Sequence, residues 1–193
     1  MKSELKSVAS IQTGYTFRAA IQSMPSGAVS IVQMKDLTDD NRVDCSGLVR
    51  IDMEKPKAHH LVRTGDLIFR SRGFINNAAI VVDDPGGAVV AAPLFRIRIT
   101  DRRVLPEYLN WYINQAPAQA HLGSHVKGTA QKMISKDALE SLEVLVPSLE
   151  RQMAIVELAS LAELEQTLVE KLAKKRQQYI AATLLKLAEG ELS

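Results

Sequence analysis

The chain has 193 residues, of which 46% are hydrophobic and 24% charged, enough for one globular domain with a sizeable core and an appendage. The single cysteine, Cys45, excludes an intrachain disulfide, and no apolar run is long enough to cross a membrane. A net charge of +2 is too small to identify a nucleic-acid-binding protein, so the distribution of charge must decide that question.

The N-terminal segment is charged at Lys2, Glu4 and Lys6 and lacks the apolar stretch of a signal peptide, so we expect a cytoplasmic protein. Four short apolar runs downstream predict β-strands, at residues 28–33, 67–70, 78–82 and 94–99. Turn signals at Gly65-Asp66 and at residues 83–87 separate them. The last run alternates, which places Arg96 and Arg98 on one face of its strand.

Two helices are predicted after the strands. Pro106 is well tolerated in the first turn of a helix that runs to Asn114, and Ser135 is a suitable cap for a short helix that ends near Ser141. Residues 1–147 are therefore predicted to form an α+β domain with a mixed, short-stranded sheet.

Residues 148–193 are predicted to form a separate long helix, with Ser148 as its cap and Gly190 as the next breaker. Forty helical residues span roughly 60 Å, which exceeds the diameter of roughly 35 to 40 Å expected for the preceding domain. An apolar stripe runs along one face, so a partner helix in an antiparallel coiled coil is predicted. The alternative is a helix that kinks or folds back onto its own domain. The residues predicted for helix pairing are Leu158, Leu161, Leu164, Glu165, Leu168, Leu172, Lys175 and Tyr179.

Motifs for catalysis are missing from the sequence. Residues 84–87 lack the second proline and the aromatic residue of an amino-methyltransferase motif, and no phosphate-binding Gly-x-x-x-x-Gly-Lys loop occurs. Glu4 and Lys6 lack the acidic partner that a nuclease metal site needs. His121 and His125 have the spacing of two metal ligands, but no third ligand is evident. No enzyme, cofactor or metal is therefore predicted.

A set of ordered motifs resembles one half of the specificity (S) subunit of Type I restriction-modification systems. Each motif is weak alone, but six in this order over about 150 residues form a specific pattern. The motifs occupy residues 11–17 (IQTGYTF), 32–37 (VQMKDL), 61–73 (LVRTGDLIFRSRG), 105–109 (LPEYL), 128–135 (GTAQKMIS) and 146–156 (VPSLERQMAIV). The family commonly carries two recognition domains and two long helices in one chain, whereas this sequence has one of each.

The resemblance implies a non-catalytic target recognition domain that binds double-stranded DNA and directs separate methyltransferase (M) subunits, and in some systems restriction (R) subunits. It favours a homodimer of half-subunits that reads a bipartite, palindromic site. The alternative function is an adaptor or assembly regulator that acts through its long helix and has no DNA specificity.

DNA contacts require cations for phosphates and hydrogen-bonding side chains for base edges. Arg70 and Arg72 are the first candidates, because residues two apart on a strand share a face and arginine is the commonest guanine contact. An exposed, salt-bridged arginine pair is the alternative. A basic polar loop supplies further candidates, and glycine or turn positions supply the rest. The remaining candidates are Lys127, Thr129, Gln131, Lys132, Tyr15, Arg18, Gln33 and Lys35.

The charges of the long helix are divided between its halves, with Glu163, Glu165 and Glu170 preceding a basic segment at residues 171–176. A twofold axis near residue 170 would set Lys175 of one chain against Glu165 of its partner. Such charges influence helix orientation more than affinity. The sequence therefore predicts an antiparallel pair.

Overall fold

The computed structural model describes residues 2–17, 21–53, 56–73, 75–125 and 133–190. The chain divides into two compact units, residues 1–153 and 154–193. Among the helices of the described ranges, none combines the length and the apolar character that crossing a membrane requires.

In its described residues, the first unit contains nine short strands in three sheets. The strands are β1 (Lys2–Glu4), β2 (Ala9–Thr13), β3 (Val29–Val32), β4 (Val49–Ile51), β5 (Leu67–Arg70), β6 (Ala78–Ile80), β7 (Val89–Val90), β8 (Leu94–Ile99) and β9 (Glu143–Leu145). The central sheet is antiparallel, in the order β2-β8-β5-β6. A second sheet has the order β4-β3-β7, in which β3 and β7 are parallel, and β1 pairs with β9.

The helices of the first unit are short. They are α1 (Leu5–Val8), α2 (Pro106–Ile113), α3 (Ala116–Ser124) and α4 (Lys136–Glu140). Pro106 lies in the first turn of α2, as predicted, and the Ser135 hydroxyl caps α4 by accepting a hydrogen bond from the Ala138 N–H at 3.2 Å. Helix α3 continues through Gly123 to Ser124.

Both faces of the central sheet are covered, and the alternation of side chains along β5 shows how. Leu67 and Phe69 point into a core formed with α1 to α4, whereas Ile68 packs against Val32, Leu37 and neighbouring apolar residues on the other side. Successive residues of a strand face opposite sides. A strand buried on both faces is therefore continuously apolar, as Leu67-Ile68-Phe69 is.

The long helix α5 (Leu149–Ala188) begins within the first unit and makes up most of the second. Its first turn receives a weak cap, since the Ser148 hydroxyl accepts from the Arg151 N–H at 3.4 Å. The buried Gln152 anchors this turn by accepting from the Leu105 N–H and donating to the carbonyls of Arg103 and Pro147. The predicted α+β class with a long C-terminal helix is confirmed.

Candidate nucleic-acid interface

The turn at residues 91–94, between β7 and β8, is where several segments of the chain meet. Tyr15 forms a parallel bridge with Ala91, with main-chain hydrogen bonds of 2.6 and 2.9 Å. The Ala91 N–H donates to the Val32 carbonyl at 2.9 Å. Tyr15 and Gln33, which follows Val32, are therefore brought to the same end of the domain.

Gly14 permits the close approach of this segment to the turn. A Cβ atom at Gly14 would lie 2.6 Å from the Ala91 carbonyl carbon, and the Gly14 N–H donates to the Leu94 carbonyl at 2.8 Å. Only a residue without a side chain fits this position. Tyr15, which follows this glycine, has its main chain fixed by the bridge to Ala91, while its ring is 38% exposed.

Strand β5 reaches the same turn from the other side. Arg70, its last residue, pairs with Leu94, the first residue of β8. The hydroxyl of the buried Ser71 donates to the Pro93 carbonyl. The Gly-Asp motif at residues 65–66 thus leads through β5 to the end of the domain that carries Tyr15 and Gln33.

The Arg70 side chain turns back to the segment after β3. Its guanidinium donates from one terminal nitrogen to the carbonyls of Met34 at 3.1 Å and Leu37 at 3.4 Å. Its Nε is buried and has no hydrogen-bond partner among the described residues. The alternative of an exposed salt-bridged pair is wrong, because Arg70 is half-buried and neither it nor Arg72 is ion-paired within the described ranges.

The segment that Arg70 contacts is a short 3₁₀ turn, Met34–Asp36, fixed also by its own residues. The Gln33 N–H donates to the Asp36 carboxylate at 2.7 Å, and the Asp44 N–H donates to the Asp36 carbonyl at 2.8 Å. Burial raises the pKa of Asp36, while the hydrogen bond from Gln33 opposes that change. Asp36 is buried and Lys35 is exposed, so the turn presents a cation outward.

Arg72 is exposed and lies beyond the end of β5. It forms an isolated antiparallel bridge with Met133, and the Ile134 N–H donates to the Ser71 carbonyl at 2.8 Å. Met133 directly follows, in sequence, the basic loop that supplied four candidates. Those four, together with a fifth candidate near the N-terminus, lie outside the described residues: Lys127, Thr129, Gln131, Lys132 and Arg18.

Two neighbouring histidines, His59 and His60, extend the aromatic surface beside Tyr15. The Tyr15 ring contacts Phe17, with ring centroids 4.9 Å apart, and meets His60 edge-on at 5.8 Å. His59 lies beside His60, with centroids 4.1 Å apart. Burial lowers the pKa of His60, and the charge of Lys57 acts in the same direction. The resulting surface joins aromatic rings to exposed cations.

Arg96 and Arg98 share a face of β8, as predicted, but their guanidinium groups bind partners within the domain. Arg96 is buried and donates to the Leu61 carbonyl at 3.2 Å and to the Gln12 carboxamide oxygen at 3.2 Å. Arg98 binds both carboxylate oxygens of Asp66 at 2.7 Å and also donates to the Leu61 carbonyl. The Asp66 of the Gly-Asp motif is therefore a structural partner of an arginine.

The histidine pair considered for metal binding lies elsewhere. His121 is in α3 and His125 caps its C-terminus, with ring centroids 4.6 Å apart and the His125 Nδ1 2.9 Å from the His121 carbonyl oxygen. Across the described ranges, no three His, Cys, Asp or Glu side chains are grouped to hold a metal. This pair has no third ligand there.

The side chains predicted to mediate helix pairing are exposed along α5. The exposed fractions of the leucine and tyrosine members range from 55% for Leu164 and Leu168 to 74% for Tyr179. The helix is continuous through all of them, so it is not interrupted at any of these residues. Large apolar side chains in a continuous row are usually covered by a partner in solution.

The end of the domain around residues 91–94 carries side chains of the types that contact nucleic acid: exposed cations, a half-buried carboxamide and an exposed tyrosine ring. Lys35 and Arg72 offer cations for phosphates, Gln33 offers a carboxamide for base edges, and Tyr15 offers an aromatic surface. The contact of His60 with Tyr15 could not be predicted from the sequence. It arises from the pairing of Leu61 with Val89, which are distant in sequence.

Comparison with known proteins adds a family match. The family model described as the Type I restriction modification DNA specificity domain matches residues 1–182. Among curated proteins, none matches the sequence at a significant level.

Three solved structures share the fold. The HsdS subunit of Thermoanaerobacter tengcongensis is 17% identical with a TM-score of 0.61, over 86% of this chain and 37% of that one. A chain from a structure described as the basis of complex assembly and conformational transition of the type I R-M system is 20% identical with a TM-score of 0.65, over 98% and 43%. The S subunit of M. genitalium is 13% identical with a TM-score of 0.55, over 83% and 38%. The chain thus spans about two fifths of the length of these proteins.

Proposed function

Because the chain belongs to the Type I restriction modification DNA specificity domain family, by its match over residues 1–182, we propose that it is the sequence-specific DNA-binding subunit of a Type I restriction-modification complex. In this role it is non-catalytic and directs separate methyltransferase subunits, and restriction subunits where present, to double-stranded DNA. The family match carries the proposal. The cluster of exposed cations, carboxamide and aromatic ring around residues 91–94 supports it.

The proposed active form is a homodimer. The chain spans 37% to 43% of the solved subunits, so two copies supply about the length of one. The exposed stripe of α5 would pair with the same stripe of a second copy, antiparallel about an axis near residue 170. Glu165 would then face the partner's Lys175. Two identical domains related by a twofold axis read a palindromic, bipartite site.

The proposed DNA contacts divide by chemistry. Arg72 and Lys35 neutralise phosphates or bind guanine, and Gln33 and Tyr15 contact bases or sugars. The basic segment that precedes Met133 contributes Lys127, Thr129, Gln131 and Lys132, and Arg18 is a further candidate. Arg70 belongs to the same site.

The exposed apolar face of α5 favours a second candidate function. An adaptor or assembly regulator would use this face to bind another helix and would need no DNA specificity. It differs from the first proposal in one measurable property, because binding to DNA through phosphates weakens steeply as salt rises.

Methylation sequencing tests the proposal. The chain is expressed with its cognate methyltransferase in cells that lack other methylation systems, and modified motifs are mapped. We expect one palindromic, bipartite motif, which Arg72→Ala weakens or relaxes. Arg102→Ala, at an exposed position in the turn before α2, is the matched control and should leave the motif unchanged. No modified motif, together with retained binding of the methyltransferase, would favour the adaptor.

A further inference from the structure

Arg70 commits part of its guanidinium to contacts within the domain. One of its guanidinium nitrogens binds two main-chain carbonyls, those of Met34 and Leu37, and its Nε is buried. These two carbonyls flank the 3₁₀ turn that carries Lys35. A DNA contact through that same nitrogen would compete with both hydrogen bonds.

Of the two carbonyls that Arg70 binds, that of Met34 is only weakly satisfied by the turn itself. The hydrogen bond that closes the turn, from the Leu37 N–H to the Met34 carbonyl, is long at 3.4 Å. Carbonyls at the end of a helical turn need an outside partner, and a planar guanidinium can donate to two acceptors at once. A lysine ammonium is a point charge without that fixed geometry.

The turn is also held from its other side. The Asp36 carboxylate accepts from the Gln33 N–H, and the bridge between Leu37 and Val43 ties its end to the following segment. Lys35 points outward between these fixed points and has no described hydrogen bond or ion pair. Its ammonium is therefore available to a ligand, while the main chain beneath it is rigid.

We infer that Arg70 is a positioning residue for DNA recognition, which holds the 3₁₀ turn so that Lys35 and Gln33 meet the DNA in a fixed geometry. This inference rests on the proposed DNA-binding function and changes the role of Arg70 within it. Arg72, two residues further on, is exposed and has no side-chain hydrogen bond within the described ranges, so it acts on DNA directly.

A double-mutant cycle distinguishes positioning from direct contact. Binding of cognate DNA by the complex with methyltransferase is measured for Lys35→Ala, Arg70→Ala and the double variant, over a range of salt concentrations. We expect each single variant to lose roughly tenfold or more in specific affinity. The double variant should be no weaker than the weaker single variant, because both changes remove the same contact.

The control cycle combines Lys35→Ala with Arg72→Ala. The fold-losses in specific DNA affinity of these two variants should multiply. Arg70→Lys keeps the charge but not the guanidinium fork, so it should lose specific affinity nearly as Arg70→Ala does. Multiplying effects of Lys35→Ala and Arg70→Ala, or restoration of affinity by Arg70→Lys, would overturn the inference.

A measurement without DNA separates this inference from the proposed function. Amide hydrogen exchange at residues 34–37 should accelerate in Arg70→Ala and Arg70→Lys, while exchange of β8 and α2 stays as in the unmodified protein. Unchanged exchange at residues 34–37 would overturn the positioning role. If the unmodified complex shows no specific DNA binding while exchange responds as expected, the proposed function fails and the contact of Arg70 with the turn stands.

Discussion

Buried polar side chains connect distant parts of the recognition domain at the scale of single residues. Asp66 binds Arg98 through both carboxylate oxygens and accepts from the Arg63 N–H at 2.8 Å. A carboxylate this buried is stable only when paired and hydrogen-bonded. One residue of a short turn motif therefore ties β5 to β8, which explains why the motif precedes the central strand.

Because of Tyr108, the unfolding free energy of the domain should depend on pH in the alkaline range. Its ring is 2% exposed and its hydroxyl donates to the Leu145 carbonyl at 2.7 Å. Burial raises the pKa of Tyr108 from 10.0 to about 12. The fold favours the neutral phenol, so this stabilising contribution is complete below the unfolded pKa and is lost as pH rises through the folded pKa.

We therefore expect the unfolding free energy of the unmodified protein, relative to Tyr108→Phe, to fall by roughly 2 to 3 kcal/mol between about pH 9 and pH 12. Urea unfolding followed by fluorescence of the single tryptophan, Trp111, measures this difference. Tyr15→Phe, at an exposed tyrosine outside the helix-pairing stripe, is the control for loss of a phenol in the absence of DNA. A difference that stays constant with pH would contradict the role of Tyr108.

Gly14 and Gly47 differ in the space around them, which gives a matched pair of substitutions. A Cβ atom at Gly14 would meet the main chain of Ala91 at 2.6 Å, whereas one at Gly47 would meet nothing within 4 Å. Gly14→Ala should destabilise the domain by roughly 1 to 3 kcal/mol, since backbone must move. Gly47→Ala should be neutral or stabilise it by roughly 0.4 to 1 kcal/mol. Thermal unfolding of both variants tests this; equal melting temperatures would contradict the close approach at Gly14.

The sequence shows where charged residues lie along the chain, but it does not show which of their side chains face solvent. Alternation placed Arg96 and Arg98 on one face of β8, and that is correct. Their burial depends on Leu61 and Asp66, which lie more than thirty residues away. Arg70 was likewise predicted as a free cation because its carbonyl partners at Met34 and Leu37 leave no local signal in the sequence.

Among the structural elements, those with a strong local pattern were predicted well. The strands at residues 67–70 and 94–99 and the helices that begin at Pro106 and Lys136 follow apolar runs, proline and a serine cap. Strands β1, β2, β4, β7 and β9 were not predicted, and all of these except the five-residue β2 have only two or three residues. Such strands are stable because of distant partners, which propensity does not encode.

The first turn of α5 is fixed by one buried glutamine. Gln152 is 0% exposed, and its carboxamide satisfies the Leu105 N–H and the carbonyls of Arg103 and Pro147. Gln152→Ala leaves all three groups without their partner, so it should destabilise the first unit by roughly 2 to 4 kcal/mol. Urea unfolding monitored at Trp111 measures the change.

The control for Gln152 is Gln166, an exposed glutamine of α5 that donates to Glu170 at 2.8 Å. Gln166→Ala should change stability by less than about 0.5 kcal/mol, as most surface substitutions do. If both alanine variants unfold at the same urea concentration, Gln152 does not anchor the helix.

In the proposed homodimer, α5 sets the distance between the two recognition domains and so the gap in the DNA site. Because the helices are antiparallel, residues added before the twofold axis lengthen the pair on both sides. Eleven added residues lengthen it by roughly 33 Å, about ten base pairs of B-DNA, and turn each helix face by only about 20°. Ten base pairs are close to one turn of DNA, so both domains meet the same side of the duplex.

An insertion of eleven alanine-, glutamate- and lysine-rich residues between Ser160 and Leu161 should therefore retain methylation of a bipartite motif whose gap is about ten base pairs longer. Seven residues at the same place lengthen the pair by roughly 21 Å, about six base pairs, which places the second half-site on the wrong side of the DNA. That variant should lose methylation although its helix face is preserved equally well. Methylation sequencing of both variants measures the gap, and an unchanged motif in the eleven-residue variant would show that another contact sets the spacing.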